Sequence, residues 1–401
     1  MLYRITHTTR FEYELPAYDS QNELRMRPGD RDGQRCISFD VTTNEPSSTL
    51  EYGDFFGNRA HSICVSAPHR KLEIVARSIV ELDTPQPPGA TGMTLAEFLR
   101  GDSVRNNVYF EYLNPSQYIP FSERLRKFFW MARPQETEDV GLYVARMMAY
   151  VRDQFEYETT TTHVYSSLND ILDSGGGVCQ DFAHLTIGIL RLAGIPARYV
   201  SGYLAPADAG YLAPAAPPDR TSSSGSVSPP HLTVGSHTPG GVTAGSFSSG
   251  DALTPPGSRL SGGVDTPIGS TPGSRLPGGA GNPSDLTADS FHPAGPLSPP
   301  DVTAQASHAW LEAWLPGTGW SGFDPTHRCA VDGRHIGVAV GRDYADVPPL
   351  RGVFRSDGVD SMMTVDLNVE PINAGGPGGN PSGGGSSSGG GPAGNQSQSQ
   401  Q

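Results

Sequence analysis

A stretch of about a hundred residues splits this sequence into two parts that must fold together. Between Pro206 and Ala304, 33 of 99 positions are Gly or Pro, and the apolar residues follow neither a helical nor a strand period. Such a segment buries too little apolar surface to offset the entropy lost on ordering. We therefore predict a disordered insert at residues 206–304, with the folded core completed by residues on both sides of it.

The rest of the sequence divides by composition and periodicity. Residues 1–83 contain short alternating runs separated by turn residues, which predicts an N-terminal β-domain of the sandwich type. Residues 84–139 begin as a Pro-rich linker and continue as a helical region. Residues 140–205 and 305–372 combine helical and strand periods, which predicts a core of the α+β class. Residues 373–401 are almost entirely Gly, Ser, Pro, Asn and Gln, which is typical of a disordered tail.

Charge and cysteine content exclude several classes of protein. The formal net charge of −14 disfavours binding to nucleic acid or to an anionic membrane, because both require Lys and Arg against phosphate. No run of about 18 apolar residues is present to span a bilayer. Residues 1–13 alternate like a strand and lack the apolar centre of a signal peptide. Four cysteines without a local pairing pattern predict a reduced, cytoplasmic compartment.

Cys179 has the chemical context of a nucleophile. Three glycines, Gly175–Gly177, precede it, and an apolar helical pattern follows it and stops at Gly194. Cys179 therefore opens a helix, where the partial positive charge and free N–H groups of the N-terminus stabilise a thiolate. The glycines allow a sharp turn and the close approach of a substrate. The backbone N–H of Cys179 is available to an oxyanion.

A cysteine nucleophile needs a base, and the base needs an orienting group. His308 begins an alternating run that ends at Leu315, and a second run ends at Asp324. The Gly- and Pro-containing turn between the runs predicts a β-hairpin. Within it, His308 and Asp324 fall within a residue or two of direct register, where diagonal neighbours are still in reach. The sequence therefore predicts a Cys179–His308–Asp324 triad.

The motifs of the chain resemble the transglutaminase-like superfamily, in the bacterial branch with an N-terminal β-domain. The core motifs are GGGVCQDFAH at 175–184, LAGIPARYVSGYL at 192–204, SHAWLEAWLPGTGWSGFDPT at 307–326 and VAVGRDYADVPPLRGVF at 338–354. The N-terminal motifs are QNELRMRP at 21–28, DFFGN at 54–58 and APHRKLEIVARS at 67–78. The resemblance implies a papain-like core with a helix-borne cysteine against an antiparallel sheet. It also implies Cys179 as nucleophile, His308 as base and Asp324 as orienting acid.

Two features depart from the family. The loop between the GYL and SHAW motifs is usually short, whereas here it is the insert, and both of its ends lie near the predicted triad. Animal members bind calcium, but this sequence has no acidic loop that would hold it, so we predict no metal and no cofactor. In the family, an indole or phenol upstream of the cysteine serves as a second oxyanion donor, and no position here matches clearly.

These features predict acyl transfer from glutamine carboxamides or peptide bonds through a thioester on Cys179. The substrate is then a protein or peptide, and a primary amine is a possible acceptor. The first alternative is a cysteine protease or amidase, because water can resolve the same thioester. The second is a non-catalytic scaffold that binds partners through the fold and its Pro-rich insert. The sequence does not define the oligomeric state.

Overall fold

The structure, a computed structural model, describes residues 1–83, 85, 87–101, 107–158, 167–206, 307–357, 361–372 and 397–398. The predicted disordered insert at 206–304 and tail at 373–401 lie outside the described residues, apart from Pro206 and Ser397–Gln398. None of the helices in the described ranges has the length and hydropathy needed to cross a bilayer.

The described elements follow the predicted order of strands, helices and strands. The helices are α1 (Leu95–Arg100), α2 (Glu123–Ala132), α3 (Val140–Gln154), α4 (Leu168–Ser174) and α5 (Cys179–Leu192). The strands are β1 (Leu2–Leu24), β2 (Gln34–Thr43), β3 (Ser48–Gly53), β4 (Arg59–Val65), β5 (His69–Leu82), β6 (Glu156–Tyr157), β7 (Gly176–Gly177), β8 (Ala197–Leu204), β9 (Ser307–Leu315), β10 (Gly319–Asp324), β11 (Cys329–Ala330), β12 (His335–Gly341), β13 (Leu350–Ser356), β14 (Ser361–Ile372) and β15 (Ser397–Gln398). Short 3-10 turns occupy Asn107–Tyr112 and Tyr344–Asp346.

The long strand β1 organises the β-domain, which is an eight-stranded sheet. The first half of β1 pairs with β5 and β14, so that Leu2 lies opposite Ile372. The second half pairs with β4 and β13, so that Leu24 lies opposite Leu350. Between the halves the register shifts, and Asp19 adopts a φ of 50°. These irregularities are β-bulges, which bend a strand and increase its twist.

The bend in β1 folds the sheet over on itself. One buried apolar cluster takes side chains from both halves of β1, from the residue two positions after it, and from β4 and β5, which pair with different halves of β1: Tyr13, Ala17, Leu24, Met26, Ile63, Val65, Leu72, Ile74 and Ala76. The predicted N-terminal β-domain is confirmed. Its sandwich-like packing comes from one bent strand shared by both layers, and not from two separate sheets.

Two strands within residues 305–372, which the sequence analysis places with the core, pair with a strand of the β-domain. Strands β13 and β14 both pair with β1 and belong to its sheet. Strand periodicity shows that these segments are extended. It does not show which distant strand they pair with, because that choice depends on tertiary contacts.

The core packs its helices on one face of a second sheet, of order β11-β10-β9-β8-β12 with antiparallel neighbours. Helix α5 lies against β8 and β9 and is also contacted by α2, α3 and α4. Every residue from Gln180 to Arg191 is therefore buried. Gly194, with a φ of 82°, ends the helix segment as the sequence predicts. The α+β core with a helix-borne cysteine against an antiparallel sheet is confirmed.

The β-domain is joined to the opposite face of the core sheet. Glu312 of β9 accepts hydrogen bonds from Arg198 of β8 at 2.6 Å and from Arg31 of the β-domain at 3.2 Å. The Gln34 amide bridges to the backbone of Gly337 in both directions. Because Glu312 is buried, this polar contact holds the two parts of the chain in a fixed relation.

Candidate active site

Cys179 is the first residue of α5, and the chain before it is shaped to place it there. Strand β7 pairs in parallel with β6, so the glycines approach the helix as an extended segment. The Asp181 carboxylate accepts the backbone N–H of Val178 at 2.9 Å and closes the first turn. A Cβ at Gly177 would lie 2.9 Å from the Asp181 Cβ, so glycine is needed beneath this cap. The Cys179 side chain is half-buried.

His308 lies between the two other residues of the predicted triad. Its Nε2 is 2.8 Å from Oδ2 of Asp324, which leaves Nδ1 for its hydrogen bond with the Cys179 side chain. Across the sheet, His308 pairs with Gly202 of β8. A Cβ at Gly202 would overlap the ring of Trp310, so this glycine lets the strands close behind His308. The structure thus brings the three predicted residues into one chain of contacts.

Asp324 is fully buried and accepts an unusual number of hydrogen bonds. Its Oδ2 is within 2.7 Å of His327 Nδ1 and 3.1 Å of His335 Nε2, in addition to His308. Its Oδ1 accepts the backbone N–H groups of Thr326 at 2.9 Å and His327 at 3.3 Å. Five donors around one carboxylate fix its orientation and favour its ionised form.

The charges of the triad shift one another's pKa values in opposite directions. Burial favours neutral His308, but the charge and hydrogen bond of Asp324, together with Cys179, outweigh burial and raise the pKa of His308 to about 10. Burial also favours neutral Asp324, yet the His308 charge and the three imidazole hydrogen bonds hold the pKa of Asp324 well below its usual range. His308 is therefore an imidazolium at neutral pH, with its charge beside the Cys179 side chain.

Two parts of the chain match known protein families. Residues 3–81 match the bacterial transglutaminase-like N-terminal region, and residues 131–248 match the transglutaminase-like superfamily. The first match covers nearly all of β1 to β5, and the second contains α3 to β8 with Cys179. The chain therefore contains a region that matches the transglutaminase-like core, preceded by a bacterial transglutaminase-like N-terminal region.

Similar proteins cover nearly the whole chain. An uncharacterized protein of Mycobacterium leprae is 28% identical over 363 residues, which is 90% of this chain and 96% of that protein. An uncharacterized protein of Mycobacterium tuberculosis is 28% identical over 387 residues, which is 92% of this chain and 93% of that protein. A crystal structure from Cytophaga hutchinsonii described as a "Putative Cysteine Protease" is 16% identical, covers 94% of this chain and 92% of its own, and has a TM-score of 0.57. At that identity, the likeness shows the shared fold alone, and it confirms the predicted fold class.

Three residues around the candidate site were not predicted from the sequence. His327 and His335 share Asp324 with His308, and Tyr157 of β6 lies beside Gly177 through the β6–β7 pairing. Burial raises the pKa of Tyr157, and the negative charges of Cys179 and Asp324 raise it further, so its hydroxyl keeps its proton. A phenol upstream of the cysteine was the expected residue type, but a two-residue strand leaves no pattern that could single out Tyr157.

The described part of the chain offers two overlapping sets of possible metal ligands. His308, Asp324 and His327 form one set and Asp324, Cys329 and His335 the other, with ligand atoms within 4.8 Å of one another. The imidazole nitrogens in both sets lie at hydrogen-bond distance from the Asp324 oxygen, so a metal would have to displace the protons of these contacts. Burial also raises the pKa of the Cys329 thiol. The cluster therefore favours protons over a cation, and the absence of a metal or cofactor stays a prediction.

Proposed function

We propose that this chain is a cysteine acyltransferase of the transglutaminase-like class, acting on glutamine carboxamides or peptide bonds of a protein or peptide substrate. One observation carries the proposal: the His308 ring is engaged on one side by Cys179 and on the other by the buried Asp324. This arrangement supplies a nucleophile, a general acid–base group and an orienting carboxylate in one contact chain.

In the first half-reaction, the Cys179 thiolate attacks the carbonyl carbon of the substrate amide. The tetrahedral oxyanion accepts hydrogen bonds from the Cys179 backbone N–H and, in our proposal, from the Tyr157 hydroxyl. The His308 imidazolium gives its proton to the leaving ammonia or amine as the C–N bond breaks. The product is a thioester on Cys179, with His308 now neutral and still oriented by Asp324.

In the second half-reaction, neutral His308 takes a proton from the incoming nucleophile. A primary amine yields a new amide bond, whereas water yields a carboxylate, and both regenerate the Cys179 thiolate and the imidazolium. The triad serves either acceptor, so the choice depends on how the site binds an amine and excludes water. Protease or amidase activity is therefore the alternative outcome of the same chemistry.

The nucleophile is tested first, because it can be measured without a known substrate. The native full-length protein is treated with iodoacetamide between pH 5 and 9, and alkylation of each cysteine is followed by mass spectrometry. Ordinary thiols react slowly below a pKa of about 8.5. We expect Cys179 to react much faster than Cys36, Cys64 and Cys329 near pH 6. His308→Ala should remove that advantage, and His69→Gln, a buried histidine of the β-domain, should not.

The acceptor is then identified with a glutamine-rich unfolded protein and a fluorescent primary amine. Amine incorporation with ammonia release indicates transfer, ammonia release alone indicates amide hydrolysis, and new N-termini indicate proteolysis. Cys179→Ala must abolish whichever product forms. If Cys179 reacts like the other cysteines and no product forms, the enzyme proposal fails. Partner binding that survives Cys179→Ala would then favour the scaffold alternative.

A further inference from the structure

A second histidine, His335, contacts the carboxylate of Asp324. Nε2 of His335 faces Oδ2 of Asp324 at 3.1 Å, and its Nδ1 faces Oδ1 of Asp332 at 2.8 Å. The Asp332 backbone N–H also points at Nδ1, at 3.1 Å, but the contact of Nδ1 with the Asp332 carboxylate oxygen is the shorter one. A carboxylate oxygen can only accept, so with both carboxylates ionised each ring nitrogen carries a hydrogen, and His335 is an imidazolium between them.

The second carboxylate that contacts His335 is also held in place. Oδ2 of Asp332 accepts hydrogen bonds from Nε and Nη2 of Arg334 at 3.1 and 2.6 Å, and the side chains of Asp332, Arg334 and His335 are all buried. The His335 ring also meets Trp310 edge-on, with centroids 5.2 Å apart. The His335 ring is thus held by a carboxylate at each nitrogen and by its packing against Trp310.

We propose that His335 is a positioning residue that orients Asp324 toward His308 and limits how tightly Asp324 retains the His308 proton. The proposal rests on the function proposed above. His335 touches no reacting atom and acts through the Oδ2 that it shares with His308. Because the Asp324 carboxylate also interacts with His335, it still orients the His308 imidazole but holds the His308 proton less strongly than it would without His335.

The sign of this effect follows from the surrounding charges. The His308 and His335 ring centroids are 6.2 Å apart, so the His335 charge disfavours a second charge on His308. Asp332 and Arg334 form an adjacent pair, His327 donates to the same Asp324 oxygen, and the Cys329 thiol faces the cluster from β11. At an effective dielectric constant of about 20, two charges at this distance shift a pKa by about two units. Loss of the His335 charge should therefore strengthen the hold of Asp324 on the His308 proton.

The test replaces the charge but keeps a hydrogen-bond donor. Histidine ring nitrogens are labelled with ¹⁵N in the full chain, and the His308 resonance is identified by its loss in His308→Gln. We expect His335→Gln to raise the titration midpoint of His308 by about one to two pH units, while His69→Gln leaves it in place. We expect His335→Leu, which also removes the donor, to slow Cys179 alkylation at pH 6 by tenfold or more.

Two results would overturn the proposal. The first is an unchanged His308 titration midpoint in folded His335→Gln, because a merely structural role of His335 would alter the rate of Cys179 alkylation without moving that midpoint. The second needs no variant. If the ¹⁵N resonances of His335 in the wild-type protein show a neutral ring at pH 7, the charge on which the proposal depends is missing. Neither measurement requires catalytic turnover. An inactive protein would therefore refute the proposed function, while the role of His335 would still be decided by these two results.

Discussion

Replacing Asp324 with Asn removes one charge from the centre of the site without changing its shape. In the wild-type protein, His308 has a pKa of about 10 against an ordinary value of 6.5. Because the folded value is the higher one, the bound proton stabilises the fold fully below about pH 6.5, and this stabilisation disappears as the pH rises through 10. At pH 7 the contribution is about 4 kcal/mol.

Asp324→Asn should remove most of this contribution. Without the carboxylate, burial is unopposed apart from Cys179, and the His308 ring loses its proton on folding. We expect the free energy of unfolding at pH 7 to fall by about 3–5 kcal/mol, as for other broken buried ion pairs. The difference from wild type should then narrow by about 1.4 kcal/mol per pH unit between pH 7 and 10.

Urea unfolding at pH 6, 7, 8 and 9, extrapolated linearly to water, measures this difference. Asp366→Asn is the matched control, because it makes the same change in an exposed ion pair with Arg10 and should cost less than about 1 kcal/mol. Alkylation of Cys179 at pH 6 should slow at least tenfold in Asp324→Asn alone. A loss of stability that is the same at every pH would refute the argument, because the lost energy would then not come from the His308 proton.

Two further substitutions test the parts that hold the site. Gly177→Ala forces a Cβ against Asp181, so we expect the free energy of unfolding to fall by about 1 kcal/mol and the alkylation of Cys179 to become several-fold slower. Alkylation at the wild-type rate in a folded variant would show that the Asp181 cap does not position the thiol. Glu312→Gln leaves the partly buried Arg31 and Arg198 without their buried counter-ion, so we expect a loss of about 3 kcal/mol in urea unfolding. A loss below 1 kcal/mol would mean that the two arginines reach solvent.

The local parts of the site could be predicted from the sequence. Helix α5 starts at Cys179 because glycines and a capping acid lie within three residues of it, and these signals are contiguous. His308 and Asp324 lie on a hairpin, whose short turn fixes the strand register. Composition also separates the insert and tail from the rest of the chain.

The remaining features depend on where distant segments meet. His335 begins β12, which lies beside β8 in the sheet and not beside β10. The chain between Asp324 and β12 nevertheless brings the His335 ring into contact with the Asp324 carboxylate. Tyr157 reaches the site through a two-residue strand. In neither case does a residue pattern mark the contact, because the chain path between elements decides it.

The pairing of β1 with β14 has a consequence for how the protein is made. Leu2 emerges from the ribosome about 370 residues ahead of its partner Ile372. At about 5–20 residues per second, that edge of β1 waits roughly 20–70 s for its partner. An open strand edge invites pairing with other chains. A nascent chain that stalls within the insert would already contain Cys179 but would lack His308 and the strand that closes the β-domain, so truncated products should aggregate and carry no complete triad.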